Sequence, residues 1–136
     1  MGAWGTGIFD NDTAGDWGWG VEGTTDLTYV RNALAEVLTT VGGYLDSHEA
    51  QEGLAACEVI ARLKGNWGVR SVYSETVDNW VEAHKITPSE GDVKLALAAI
   101  DRILAPSSEL LELWSEGDDA AEWKDVVLDL RERVEK

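Results

Sequence analysis

Two histidines, one cysteine and 26 acidic side chains are the groups through which this 136-residue chain could do chemistry. His48 and Glu52 stand four apart, a spacing that places both on one helix face, where they could share a metal ion. Zinc takes three or four ligands, and no second His or Cys cluster supplies the rest. The plainer role for His48 is that of a first-turn residue near solvent. His84 follows Trp80 and Val81 on an apolar-facing stripe. Imidazole titrates near neutrality, so His84 is the best lone acid–base candidate; its plainer role is to pack or to end a helix. Cys57 lies in the most apolar segment, where a thiol without an electropositive, accessible setting behaves as a small hydrophobe.

Asp10-Asn11-Asp12 with Gly15 has the opening of a calcium loop. The fifth position from Asp10 is Ala14 and the twelfth is Val21, so too many oxygens are missing. Met1-Gly2 with Thr6 fits the loose myristoylation pattern. One acyl chain anchors only marginally, and no polybasic patch adds a second signal. A nucleophile elbow, a phosphate loop and a dinucleotide fingerprint are all missing. The reading at this level assigns no catalytic residue, no metal site and no cofactor.

Acidity is the strongest compositional signal. The net charge is −15 and the excess is spread over the chain. Residues 1–24 carry four acids and no base, residues 25–105 twelve acids and seven bases, and residues 106–136 ten acids and four bases. Such a surface repels phosphate backbones, which argues against nucleic acid, and it steers a basic protein partner inward. Its plainer effect is solubility. Glu116, Asp118, Asp119 and Glu122 form the densest acidic cluster. They serve either as a solvated helix start or as a docking patch. No apolar run approaches the roughly 18 residues of a membrane span, and no secretory signal opens the chain. A cytoplasmic location is expected.

The elements that must position these groups read as helices. Leu27, Val30, Leu34, Val37, Leu38 and Val41 form one stripe, with Asp26 as the candidate cap and Gly42-Gly43 at its end. Asp46 with Glu49 suggests a capping box for a helix running to about Lys64, and Gly65-Asn66 stops it. That helix is apolar nearly all round and should be central. Residues 66–73 read as a connection. Ser74 opens a helix bearing Val77, Trp80 and Val81. Thr87-Pro88-Ser89-Glu90 suggests a start with Thr87 as cap and Glu90 completing the box, and Pro106 ends that helix. Ser108 precedes a short segment with Leu111 and Trp114. A last stripe carries Trp123, Val126, Val127, Leu130 and Val134. Trp67, Trp80, Trp114 and Trp123 are expected to fill the core.

The opening glycines and tryptophans fit a structural lid. Gly5 and Gly7 turn the chain, Trp4, Ile8 and Phe9 fold back, and Asn11 or Asp12 caps a short helix through Trp17 and Trp19. Alternatively, Trp17 and Trp19 contact a partner, since tryptophan is enriched in interface hot spots.

The string M-G-A-W-G-T-G-I-F-D-N-D-T-A-G-D-W resembles the N-terminal signature of the bacterial DUF4259 family, a domain of unknown function. The segment Val93–Leu104, then SSELLELW at 107–114 and EWKDVVLDLRERV at 122–134, is similar to that family's C-terminal pattern. The resemblance implies a bacterial, mainly helical small protein and carries no established catalytic residues.

The expected fold is therefore all-α, a single-domain bundle of six or seven helices over 1–136, with the Gly/Trp-rich N-terminal segment packed on it. The expected function is that of a non-enzymatic acidic interaction protein, with an immunity- or antitoxin-like role as its specific form. It would bind a basic protein through Trp17, Trp19, Asp118, Asp119 and Glu122. The alternative is a small-molecule-binding protein or enzyme whose interhelical pocket gathers His84 and the N-terminal acids. A homo-oligomer built on Trp17 and Trp19 is a third expectation. Neither nucleic acid nor a membrane is expected as a partner.

Overall fold

Apolar side chains at three- and four-residue spacing wind the chain into seven helices in this computed structural model, which describes residues 3–136. They are α1 (Asp12–Glu22), α2 (Thr28–Leu38), α3 (Ser47–Leu63), α4 (Glu75–Ala83), α5 (Glu90–Ile103), α6 (Glu109–Ser115) and α7 (Ala120–Glu135). The architecture is an all-α bundle, and pairing of extended backbone among the described residues is confined to two isolated bridges, Ala3 with Asn11 and Leu45 with Ser108. The myristoylation reading rests on Met1 and Gly2, which lie outside the described residues.

Helix α3 is the axis. It buries residues on every side and packs against all six other helices. Its alanines at 55, 56 and 61 are fully buried, and small side chains let neighbouring helices come close. Around it close Val30, Leu34 and Val37 of α2, Ala96, Ile100 and Ile103 of α5, and Trp123, Val127 and Leu130 of α7. Each buried Leu or Ile contributes on the order of 2 kcal/mol through the water it sheds. Helix α1 approaches α2 so closely that a Cβ on Gly20 would sit 2.0 Å from the Tyr29 hydroxyl. The glycines of α1 lower its intrinsic helicity, but one of them is what lets the Tyr29 ring lie near Trp17.

Several helix ends differ from the sequence reading, each for an identifiable reason. Helix α5 is capped by Ser89, not Thr87. The Ser89 hydroxyl accepts from the Asp92 amide at 3.1 Å while the Asp92 carboxylate accepts from the Ser89 amide at 2.9 Å. Arg31 of α2 forks onto the same carboxylate at 2.7 and 3.1 Å, which favours Asp92 over Glu90 as the reciprocal partner. Asp46 stands before α3 without capping it. The Ser47 amide instead donates to Glu109 of α6 at 2.8 Å, so this helix is capped from across the bundle. Asp26 lies one residue further out than expected and accepts from the Thr28 amide at 2.9 Å, with Leu27 between. Trp80 and Trp123 are buried as expected, whereas Trp67 and Trp114 are half-buried and flank the core.

The ion pairs set a pH response. The Arg31 fork holds the Asp92 carboxyl below its usual range, and Arg131 does the same to Asp101. A carboxyl depressed in the folded state adds stability that is present above its unfolded value and is lost as pH falls through the folded one. Glu52, pushed up by burial, works in the opposite sense. Thermal melts should therefore lose stability as pH drops below about 4. Asp92→Asn should lower the melt at neutral pH and flatten that acid slope; an unchanged slope would mean that Asp92 is not a source of it.

Candidate functional site

The N-terminal loop is folded by its own polar groups. The Asp10 amide donates to the Gly7 carbonyl at 3.0 Å, the Gly7 amide donates back to the Asp10 carboxylate at 3.1 Å, and the Trp4 amide donates to the Asp10 carbonyl at 3.0 Å. A Cβ on Gly5 or Gly7 would lie 2.5 or 2.6 Å from that carboxylate, so a side chain at either position would push the Asp10 carboxylate from its place. Asn11 caps α1 by accepting from the Ala14 amide at 2.8 Å, and its amide group donates to the Ile8 carbonyl at 3.2 Å. This turn drives Ile8 and Phe9 into the core. The string that begins the chain is thus a closed loop laid on the bundle.

Between this loop, α3, the 69–74 connection and α7 lies a cleft of about 580 Å3. Its floor is ionic. Glu58 and Arg62 stand one turn apart on α3, and both are buried. Arg133 of α7 forks onto Glu58 at 2.7 and 3.1 Å. Arg62 bonds Asp78 of α4 and donates to the Val69 carbonyl at 2.9 Å. Asp78 also accepts from the Ser74 hydroxyl at 2.7 Å. The Arg62 guanidinium lies 5.5 Å from the ring centres of both Phe9 and Trp67. Burial opposes the charge of Arg133, but its bonds with Glu58 and Asp129 outweigh that and hold the guanidinium above its ordinary range. Both cations of the floor are therefore occupied by buried or neighbouring carboxylates.

The α7 wall is different. Glu122, Asp125 and Asp129 fall at spacings of three and four, which puts them on one helix face, and all three line the cleft. Asp129 pairs with Arg133 at 2.9 Å. Among the described residues Glu122 accepts only from the Thr6 hydroxyl, at 3.0 Å. Asp125 is exposed and meets no cation among the described residues. Like charges at this spacing cost a helix a few tenths of a kcal/mol each, and here they face an open cavity.

The residues singled out from sequence are dispersed. Glu122 lies on the cleft, while Glu116, Asp118 and Asp119 are exposed just before α7. Trp17 is buried, stacked on Tyr29 at 5.4 Å, which corrects its reading as a surface residue. Trp19, two residues on, is 66% exposed. It lines a second cleft of about 520 Å3 together with Glu22, Glu75, Trp80 and His84. The His84 ring stacks on Trp80 at 4.6 Å, and its Nδ1 lies 2.9 Å from the Trp80 carbonyl. Of the N-terminal acids, Glu22 shares that cleft, whereas Asp10 lines the larger one. His48 is exposed and 3.5 Å from Glu52. Among the described residues no group of three or more His, Cys, Asp or Glu side chains is placed to hold a metal. Cys57 is fully buried against the Ala96 carbonyl, and burial pushes its thiol up, away from the reactive thiolate.

Sequence reasoning missed the ionic floor. Its signal was present as Glu58 and Arg62, two charges four apart inside the most apolar helix. In a helix buried all round, such a pair must face a polar partner from elsewhere in the chain.

No helix of the described residues is long and apolar enough to cross a membrane. Comparison with curated proteins and with solved structures returns no match. The family model for DUF4259, described as a domain of unknown function, matches residues 2–126, and the chain belongs to that family.

Proposed function

We propose that this chain is a non-enzymatic interaction protein that receives a basic partner protein at the acid-walled cleft. One observation carries the reading. The cleft's own cations are consumed by Glu58, Asp78 and Asp129, while Glu122 and Asp125 face the opening with no cation among the described residues paired to them. A lysine or arginine from outside would complete those carboxylates, and the surrounding charge of −15 would steer it in. Asp118 and Asp119 extend the acidic surface beyond the cleft. An immunity- or antitoxin-like role in a bacterial cytoplasm, covering the basic groove of a nuclease-type toxin, is the specific form we favour. The experiment is capture from the source cells on the tagged chain, with elution by salt. A basic protein should be retained and released steeply as salt rises. The double variant Glu122→Lys/Asp125→Lys should fail to hold it. Retention unaffected by salt, or by the double variant, would overturn the proposal.

A small-molecule reading has one observation in its favour, the placing of Glu22 and His84 on a single cleft. Only Nε2 of His84 is free there, because Nδ1 lies against the Trp80 carbonyl. If that reading is right, His84→Ala abolishes the ligand's binding and leaves partner capture intact.

A further inference from the structure

Among the described residues eight large apolar side chains are exposed, and five of them lie along one strip: Trp4, Trp19, Val69, Val72 and Tyr73. Val69 is 85% exposed and Val72 76%, and contiguous apolar surface of this kind marks a contact site more often than scattered single residues do. Tyr73 packs on Trp4 with ring centres 5.0 Å apart and also borders the acid-walled cleft. Val72, Tyr73 and Trp19 line a smaller depression of about 190 Å3, and Val72 and Trp19 continue into the cleft of Glu22 and Glu75. This middle depression shares Phe9 and Tyr73 with the acid-walled cleft and Trp19, Val72 and Thr76 with the other, so the three lie side by side as a groove with acids at both ends and apolar side chains in the middle. The backbone beneath it is tied down. Arg62 holds the Val69 carbonyl at 2.9 Å, and the Ser74 hydroxyl accepts from the Ser71 amide at 3.0 Å. The apolar side chains are therefore presented on a fixed loop, which lowers the ordering cost of binding.

We propose that this groove binds an amphipathic basic segment of the partner, with apolar side chains over Val72 and Trp19 and a lysine or arginine inside the α7 wall. The proposal rests on the function proposed above and specifies the segment that the partner inserts. Charge decides against a second copy as the occupant. A two-fold contact centred on the apolar middle pairs each end of the groove with the opposite end of the other copy, so it would set Glu122, Asp125 and Asp129 against Glu22 and Glu75 on a chain already at −15. A basic segment meets the opposite sign at both ends of the groove.

The test uses the full chain and a labelled helical peptide of about 14 residues, with Leu at i, i+3, i+4 and i+7 and Lys elsewhere. A second peptide replaces every Leu with Ser. Fluorescence anisotropy at physiological salt should show the Leu peptide binding about tenfold tighter or more, a difference of roughly 1.4 kcal/mol. The surface variant Val72→Asn/Trp19→Ser should erase that margin. Asp125→Lys should weaken binding several-fold more than Glu36→Lys, which makes the same charge change on the exposed side of α2. Equal affinity for the two peptides would overturn the groove while leaving the acidic-partner reading in place. Equal loss in Asp125→Lys and Glu36→Lys would overturn both. A dimer in light scattering that Val72→Asn/Trp19→Ser dissolves would assign the strip to a second copy and overturn the proposal.

Discussion

Arg62→Met is expected to destabilise the chain by about 3–5 kcal/mol, the range for breaking a buried ion pair by removing one partner. For a chain of this size that is on the order of 10–15 °C in Tm. The cause is what remains. Asp78 is left buried with the Ser74 hydroxyl at 2.7 Å and Arg70 at 3.6 Å, and Glu58 keeps only Arg133. The Val69 carbonyl loses its donor as well, which frees the loop that forms one cleft wall. Arg62→Lys should fall between wild type and Arg62→Met, since an ammonium keeps the charge but cannot reach Asp78, Glu58 and the Val69 carbonyl with one planar group. Adding Asp78→Asn to Arg62→Met should recover part of the loss, because it removes the stranded charge. Urea denaturation of the four proteins checks this ordering. A loss below about 1 kcal/mol for Arg62→Met would mean that the floor is solvated and the cleft more open than described.

Trp17→Ala should cost a similar amount, about 3–5 kcal/mol, whereas Trp19→Ala should stay within about 0.5 kcal/mol. Both residues sit in the same glycine-flanked stretch and would be hard to rank by composition. Their difference is geometric. Trp17 is 3% exposed and stacks on Tyr29 of α2, inside the core cluster. Trp19 is turned about 200° away around the helix, which brings it to solvent. If Trp19→Ala instead destabilised as much as Trp17→Ala, the exposed strip would be a packed surface and unavailable to a partner.

How much of this could be read beforehand depended on the physics at each position. The apolar stripes were legible because helix periodicity and burial act on local spacing: Val30, Leu34 and Val37 all turn into the core as their intervals require. The central helix was legible from its apolar circumference. Caps were less so, because they were decided by side chains far along the chain, Arg31 at Asp92 and Glu109 at Ser47. The opening string was legible as a packed segment, but the exchange of hydrogen bonds between Gly7 and Asp10 needed coordinates. The acid wall was partly legible. Glu122 was singled out by cluster density, while Asp125 and Asp129 gain their meaning only from the cleft opposite them. The ionic floor and the Val69–Tyr73 strip depend on contacts between residues far apart in the chain, which spacing does not encode.

The most direct test of where a basic segment enters is amide shift mapping on the isotope-labelled chain titrated with the Lys/Leu peptide. The largest changes should fall on Gly7, Val72, Tyr73, Asp125 and Asp129, with α2 and α5 quiet. Changes spread evenly over the acidic surface, or concentrated on α2 and α5, would contradict a binding cleft between the N-terminal loop and α7.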